Sequence, residues 1–215
     1  MRALLSGDDR GYHGQAYRLA PGIRLRGRRP DRMPPLLLGT WGPRGASLAG
    51  EIADEIKVGG SANPAIVPFI RDRIRAGCQA AGRSEDRVRV VLGAVTVVDE
   101  DGAAARRRAR TEVASYLAVV AELDPAIQLP AGLADRVRAL VASGQDEAAG
   151  SLIPDAILDR FAFSGTPEQV AALAGRVLAA GADRVDFGTP HGLDDDKGVA
   201  LLGTAVLPLL RQRGG

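Results

Sequence analysis

From Pro35 onward the chain alternates short unbroken apolar runs with longer stretches in which apolar residues recur every three or four positions, and glycine or proline stands at most changes of pattern. Leu36-Leu37-Leu38-Gly39 is an unbroken run of the kind found in parallel strands buried on both faces. Pro43 suits the first position of a helix, where its missing N–H would have no partner, and the spacing predicts Leu48, Ala49 and Ile52 on one face through Ala53. Glu55 to Val58 reads as the next strand. Gly59-Gly60-Ser61-Ala62 then leads to Asn63 as N-cap and Pro64 as first residue of a helix whose Ile66, Ile70, Ile74 and Cys78 repeat every four residues, with Gly82 as its stop. The β-branched stretch Val88 to Val98 predicts a third buried strand. A helix from Ala103 is expected to turn Val113, Tyr116, Leu117 and Val120 inward and to end at Asp124-Pro125.

Leu133, Val137, Leu140 and Val141 belong to short amphipathic pieces on the outside of the fold. Phe161 to Ser164 reads as a short strand, and Thr166-Pro167-Glu168-Gln169 as a capping box opening a helix that Gly181 closes. Arg184 to Phe187 is the last strand, followed by the turn Gly188-Thr189-Pro190-His191-Gly192 and a closing helix from about Lys197 to Gln212. Residues 1–33 lack sustained periodicity: Met1 to Leu5 reads as a helical turn, and Tyr12 to Tyr17 as a turn between short extended pieces. They form a lead-in to a single domain over 1–215 whose βα repeats fill 34–215. Repeated βα units give an α/β fold with a parallel sheet, closed or open. Four strong strands and a short fifth fall short of an eight-stranded barrel, which takes roughly 250 residues, so about half of a (βα)8 TIM-type barrel is expected.

At 215 residues and 46% hydrophobic, the chain can bury a substantial core. Its 28 Lys plus Arg against 26 Asp plus Glu leave a formal charge of +2, too little for a field that gathers nucleic acid or anionic membrane. Arg24, Arg26, Arg28, Arg29 and Arg32 do cluster, but aromatics are only 4% of the chain, so the stacking groups of single-strand binders are missing. The lone cysteine, Cys78, excludes an internal disulfide and fits a reducing compartment. With no apolar run long enough for a membrane span or signal peptide, a cytoplasmic protein is expected. His13 and His191 have no Cys, Asp or Glu at ligand spacing, so no metal site is expected.

In a parallel sheet, ligands bind beyond the C-terminal strand ends, where helix N-termini present free N–H groups. Both glycine-rich turns stand there. Gly39, Gly42, Gly59 and Gly60 remove side chains, so a phosphate could approach the backbone, with the Thr40 and Ser61 hydroxyls as further donors. Strand alternation puts Lys57 and Glu55 on the face opposite Ile56 and Val58, the interior of a barrel, as ligand contacts or a structural salt bridge. Asp186 is expected as a paired carboxylate beside Arg184. Trp41 either covers a flat ring or packs under its loop. His191, at a strand end, is either a proton donor or acceptor or a solvated loop histidine.

Pro35-Leu36-Leu37-Leu38-Gly39-Thr40-Trp41-Gly42-Pro43-Arg44, with Leu48 to Asp54 after it, resembles the luciferase-like oxidoreductases, closest to the branch that uses the deazaflavin coenzyme. Lys57 to Pro64, Phe163 to Glu168 and Phe187 to Gly192 are similar to methylenetetrahydromethanopterin reductase-like members. The resemblance implies the later half of the family's barrel, with the N-terminal strands missing. Hydride transfer would use the deazaflavin coenzyme (coenzyme F-420), or alternatively FMN, with a small-molecule substrate. It places Gly39, Thr40, Gly42 and Pro43 at the coenzyme's ring edge and tail, with Trp41 where a smaller residue is usual, and Lys57, Gly59, Gly60 and Ser61 also near the tail. In the family the first four strands form much of the ring pocket and supply its acid and histidine residues, so no catalytic residue is assigned. The alternative is a non-catalytic half-barrel or partner subunit, whose open edge would pair with another chain or a second copy.

Overall fold

The structure, a computed structural model, describes residues 2–213. It divides into two compact units, residues 1–36 and 37–215. In the first, α1 (Arg2–Ser6) precedes an antiparallel pair, β1 (Tyr12–His13) and β2 (Arg18–Leu19), closed by a 2.9 Å bond from the Gly14 N–H to the Tyr17 carbonyl. Two of the clustered arginines carry their own counter-ions, Arg24 on Asp9 and Arg28 on Asp31.

The second unit repeats strand and helix: β3 (Leu37–Gly39), α2 (Pro43–Ile52), β4 (Glu55–Gly59), α3 (Ile66–Ala80) and β5 (Arg89–Val98). After β5 come α4 (Gly102–Ala114), α5 (Leu117–Leu123), α6 (Leu133–Ala142), α7 (Asp146–Ser151) and α8 (Asp155–Phe161). The chain ends with β6 (Ala162–Gly165), α9 (Pro167–Ala179), β7 (Arg184–His191), α10 (Asp195–Leu201), a π-helical turn over Leu202–Val206, and α11 (Leu207–Arg213). Every pairing in its five-stranded sheet is parallel. Central β5 pairs with β4 through its first half, with β6 through its second and with β7 along most of its length, while β3 pairs with β4 alone. The sheet is an open, partial barrel.

Alternation along the strands gives it two unlike faces. Ile56, Val58, Val90, Leu92, Ala94 and Phe163 meet α2, α3, α9 and the C-terminal helices in the larger core. On the opposite face stand Glu55 and Lys57 of β4, Gly93 of β5 and Asp186 of β7. At its upper end Val97 and Ala162 join a second core with α4 to α8. The Thr166 capping box forms as expected: Thr166 accepts from the Gln169 N–H, and the Gln169 side chain accepts from the Thr166 N–H.

Five expectations are corrected. β3 is an edge strand with Leu37 41% exposed, not a strand buried on both faces, because β4 is its one neighbour and the run of leucines is covered on one side only. Helix α2 buries Ala46, Ala49 and Gly50, and Leu48 and Ile52 face outward. The reason is the closeness of α3: a Cβ on Gly50 would stand 2.3 Å from the Ile74 carbonyl oxygen, so only small residues fit that face. Helix α3 begins at Ile66 and not at Pro64, and Asn63 caps the turn ahead of it instead of the helix: its Oδ1 accepts from the Ala65 N–H at 3.2 Å. The helix expected from Ala103 breaks at Ser115-Tyr116, which lets the Tyr116 hydroxyl reach the Phe161 carbonyl at 2.8 Å. Finally, β7 runs on through Gly188 to His191, since ten-residue β5 offers it partners up to Val97.

Candidate functional site

Backbone bonds fix the two turns against each other. Past Gly39, whose strand position is beside Lys57, the Thr40 N–H donates to the Lys57 carbonyl at 3.1 Å. The Trp41 indole N–H donates to the Gly59 carbonyl at 2.8 Å, so the tryptophan ties the first turn to the second. The Ser61 N–H in turn donates to the Gly93 carbonyl at 3.1 Å, tying the second turn to the central strand.

Beside the second turn, over β4, β5 and β7, lies a cleft of about 420 Å³, lined along the strands by Lys57, Gly59, Gly60, Gly93, Asp186 and Gly188 and from α5 and the residue before it by Val120 and Tyr116. Burial, with a smaller push from the Glu112 charge, holds the Tyr116 hydroxyl well above the ordinary phenol range, so Tyr116 is a neutral wall of the cleft at physiological pH. Lys57 is bonded to Asp186, not to Glu55; Asp186 is therefore a paired carboxylate, but its partner is Lys57 and not Arg184. Glu55 is buried at the foot of the same face between Arg89 and Arg184.

The glycines divide by the reason for their being glycine. Gly60 has φ +76° and a Cβ there would meet Val120 and Tyr116 at 3.1 and 3.3 Å, so the fold itself demands it. Gly39, Gly42 and Gly59 have no left-handed φ, and a Cβ at any of them would meet nothing within 4 Å. Neither backbone conformation nor packing explains these three. They leave open space along the two turns, and at Gly42 that space adjoins the first turn of α2, whose N-terminus has no side-chain cap.

Ser61 contributes differently from the expectation. It is fully buried, and its hydroxyl accepts from the Asn63 N–H at 3.1 Å, so it braces the turn from within. Asn63 continues the brace through a 3.0 Å bond from its side-chain N–H to the buried Asp124 carboxylate. His191 is part-buried with Nε2 at 3.1 Å from the Phe187 carbonyl; that nitrogen carries a proton and donates it there. His13 stands in β1 of the first unit. No group of three or more metal-binding side chains occurs among the described residues. Gly93 and Gly188 were not singled out by sequence reasoning. A lone glycine inside the β-branched run around Gly93 is the signal that could have found it, as such a residue marks close approach of another group.

Residues 1–184 match the family model described as luciferase-like monooxygenase. The chain belongs to the luciferase-like monooxygenase family. It is 30% identical over 219 residues to the 5,10-methylenetetrahydromethanopterin reductase of Archaeoglobus fulgidus, an alignment covering 98% of this chain and 64% of the relative. Among solved structures, it is similar to the coenzyme F-420-dependent tetrahydromethanopterin reductase of Methanopyrus kandleri, with a TM-score of 0.84 at 24% identity, covering 96% of this chain and 60% of that one. It also resembles an F-420-dependent secondary alcohol dehydrogenase solved with an F-420–acetone adduct, at TM-score 0.71 and 20% identity, over 98% of this chain and 58% of that one. These structures share its fold; the chain spans less than two thirds of their length and of the curated relative's. No helix among the described residues is long and apolar enough to cross a membrane.

Proposed function

We propose that the cleft and its two turns hold part of a deazaflavin coenzyme, coenzyme F-420, in a hydride-transferring oxidoreductase of the methylenetetrahydromethanopterin reductase type. The observation that carries this reading is the set Gly39, Gly42 and Gly59: three glycines on two adjacent turns where neither φ nor packing calls for glycine, with Gly59 lining the cleft. A cradle that side chains would fill is what a bound coenzyme requires, and the F-420-dependent relatives supply the identity of the group. When bound, the deazaflavin supplies hydride transfer, chemistry that no side chain of the cleft can perform.

In this reading the chain binds and orients. Gly39, Thr40, Gly42 and Pro43 form one bank of the site and Lys57, Gly59 and Gly60 the other. Trp41 and Ser61 hold the banks together. Lys57 brings the positive charge that anionic oxygens of the coenzyme need, and the neutral Tyr116 and apolar Val120 exclude water from one side.

The test is spectroscopic titration of the purified protein with coenzyme F-420 and, separately, with FMN, beside a Gly59→Val variant. Binding of F-420 perturbs its absorbance, and Gly59→Val weakens it at least tenfold while the melting temperature stays close to wild type. A protein that perturbs neither coenzyme, or one that binds as well with valine at 59, refutes the proposal; a response to FMN alone moves the site to the flavin-using branch.

A further inference from the structure

The floor of the cleft carries one cation and one carboxylate, Lys57 and Asp186, and they are bonded to each other across the sheet. Lys57 stands on β4 and Asp186 on β7, with β5 between them. The crossing passes over Gly93. A Cβ there would stand 2.9 Å from Lys57 Cε and 3.3 Å from Asp186 Cβ, so the central strand is bare where the two side chains meet. The pair is 38% and 43% exposed, open to water and to whatever enters the cleft, and an ion pair so placed is weakly held. Glu55, the other carboxylate of this face, is buried and already shared by Arg89 and Arg184, so it does not compete for Lys57. Beside Lys57 in register is Gly39, and two residues on is Gly59, both with open space at the Cβ position.

The geometry points to Asp186 as a specificity-determining residue: its carboxylate fills the place of an anionic ligand oxygen on Lys57, and a phosphate-type group binds by displacing it. This deepens the coenzyme reading and takes the location of the ligand from it. Until displacement the two charges cancel, and the cleft floor offers no unpaired cation. A ligand carboxylate would exchange like for like and gain little. A phosphate or pyrophosphate carries more charge and more acceptor oxygens than a carboxylate, and so outcompetes Asp186.

Inorganic pyrophosphate, titrated by calorimetry or ligand-observed NMR, tests this without the coenzyme. Asp186→Asn keeps the shape and removes the competing charge, so it binds pyrophosphate roughly fivefold to tenfold more tightly than wild type and with a steeper loss on adding salt. Lys57→Gln abolishes binding, and the double variant behaves as Lys57→Gln. Asp186→Ser replaces Asp186→Asn should the latter fail to fold, as judged by circular dichroism. Pyrophosphate binding that is unchanged or weaker without the carboxylate overturns the inference. Titrating F-420 into the same proteins separates it from the function proposed above. Pyrophosphate following the stated order while F-420 binds no variant upholds the displacement and ends the coenzyme reading. F-420 bound by wild type and no better by Asp186→Asn overturns the displacement and spares that reading.

Discussion

The two glycine-rich turns look alike as sequence and differ as structure. The second, Gly59 to Pro64, is knitted into its surroundings: Gly60 fits under Tyr116 and Val120, Ser61 is buried, and Asn63 bonds the Asp124 carboxylate. Only Gly59 at its start faces open space. The first, Gly39 to Pro43, is tethered through the Trp41 side chain, and both of its glycines face open space. A turn can thus be rich in glycine because the chain must bend and pack there, or because something else must come close. The two reasons are told apart by asking what a Cβ would meet.

That contrast is most strongly tested inside the second turn. Asn63→Leu leaves the buried Asp124 carboxylate without its amide donor and removes the bond to the Ala65 N–H, a loss of about 3 kcal/mol. Gly60→Val forces a β-branched residue into the left-handed region against Tyr116, a loss of about 2 to 3 kcal/mol. Urea unfolding measures both, and losses under roughly 1 kcal/mol would show that the second turn is not a scaffold. Trp41→Phe keeps the packing and deletes the indole N–H donated to Gly59, costing about 1 kcal/mol and loosening coenzyme binding by letting the turns part. The smallest effect on folding is expected in the first turn: Gly39→Val and Gly42→Ala stay within about 0.5 kcal/mol of wild type, yet each weakens F-420 binding. Destabilisation at 39 or 42 comparable to that at Gly60 would erase the distinction between the turns.

Much of this was legible in the chain. The strand–helix order, the capping box at Thr166 and the four-residue repeat of Ile66, Ile70, Ile74 and Cys78 are local patterns, and local patterns survive folding. What was not legible depended on neighbours. Leu37 reads as core but is at an edge, and Leu48 and Ile52 read as a buried face but yield to Ala46, Ala49 and Gly50. The site divides the same way. Gly39, Gly42, Gly59 and Lys57 were visible as turn residues and a charge in a strand. The partnership of Lys57 with Asp186, 129 positions later, and the clearance that Gly93 gives it, follow from which strands lie side by side.

The closeness of α2 and α3 has a consequence for the turns that launch them. A Cβ on Gly77 would fall 1.9 Å from the Ser47 carbonyl oxygen, and the Cys78 thiol and Arg83 guanidinium both bond the Gly50 carbonyl, so the two helices touch backbone to backbone. They behave as a single girder, with one turn at the head of each beam. The span between the two turns is thereby gauged at a buried joint away from the cleft, and the alignment of the turns is inherited from the tolerance of that joint.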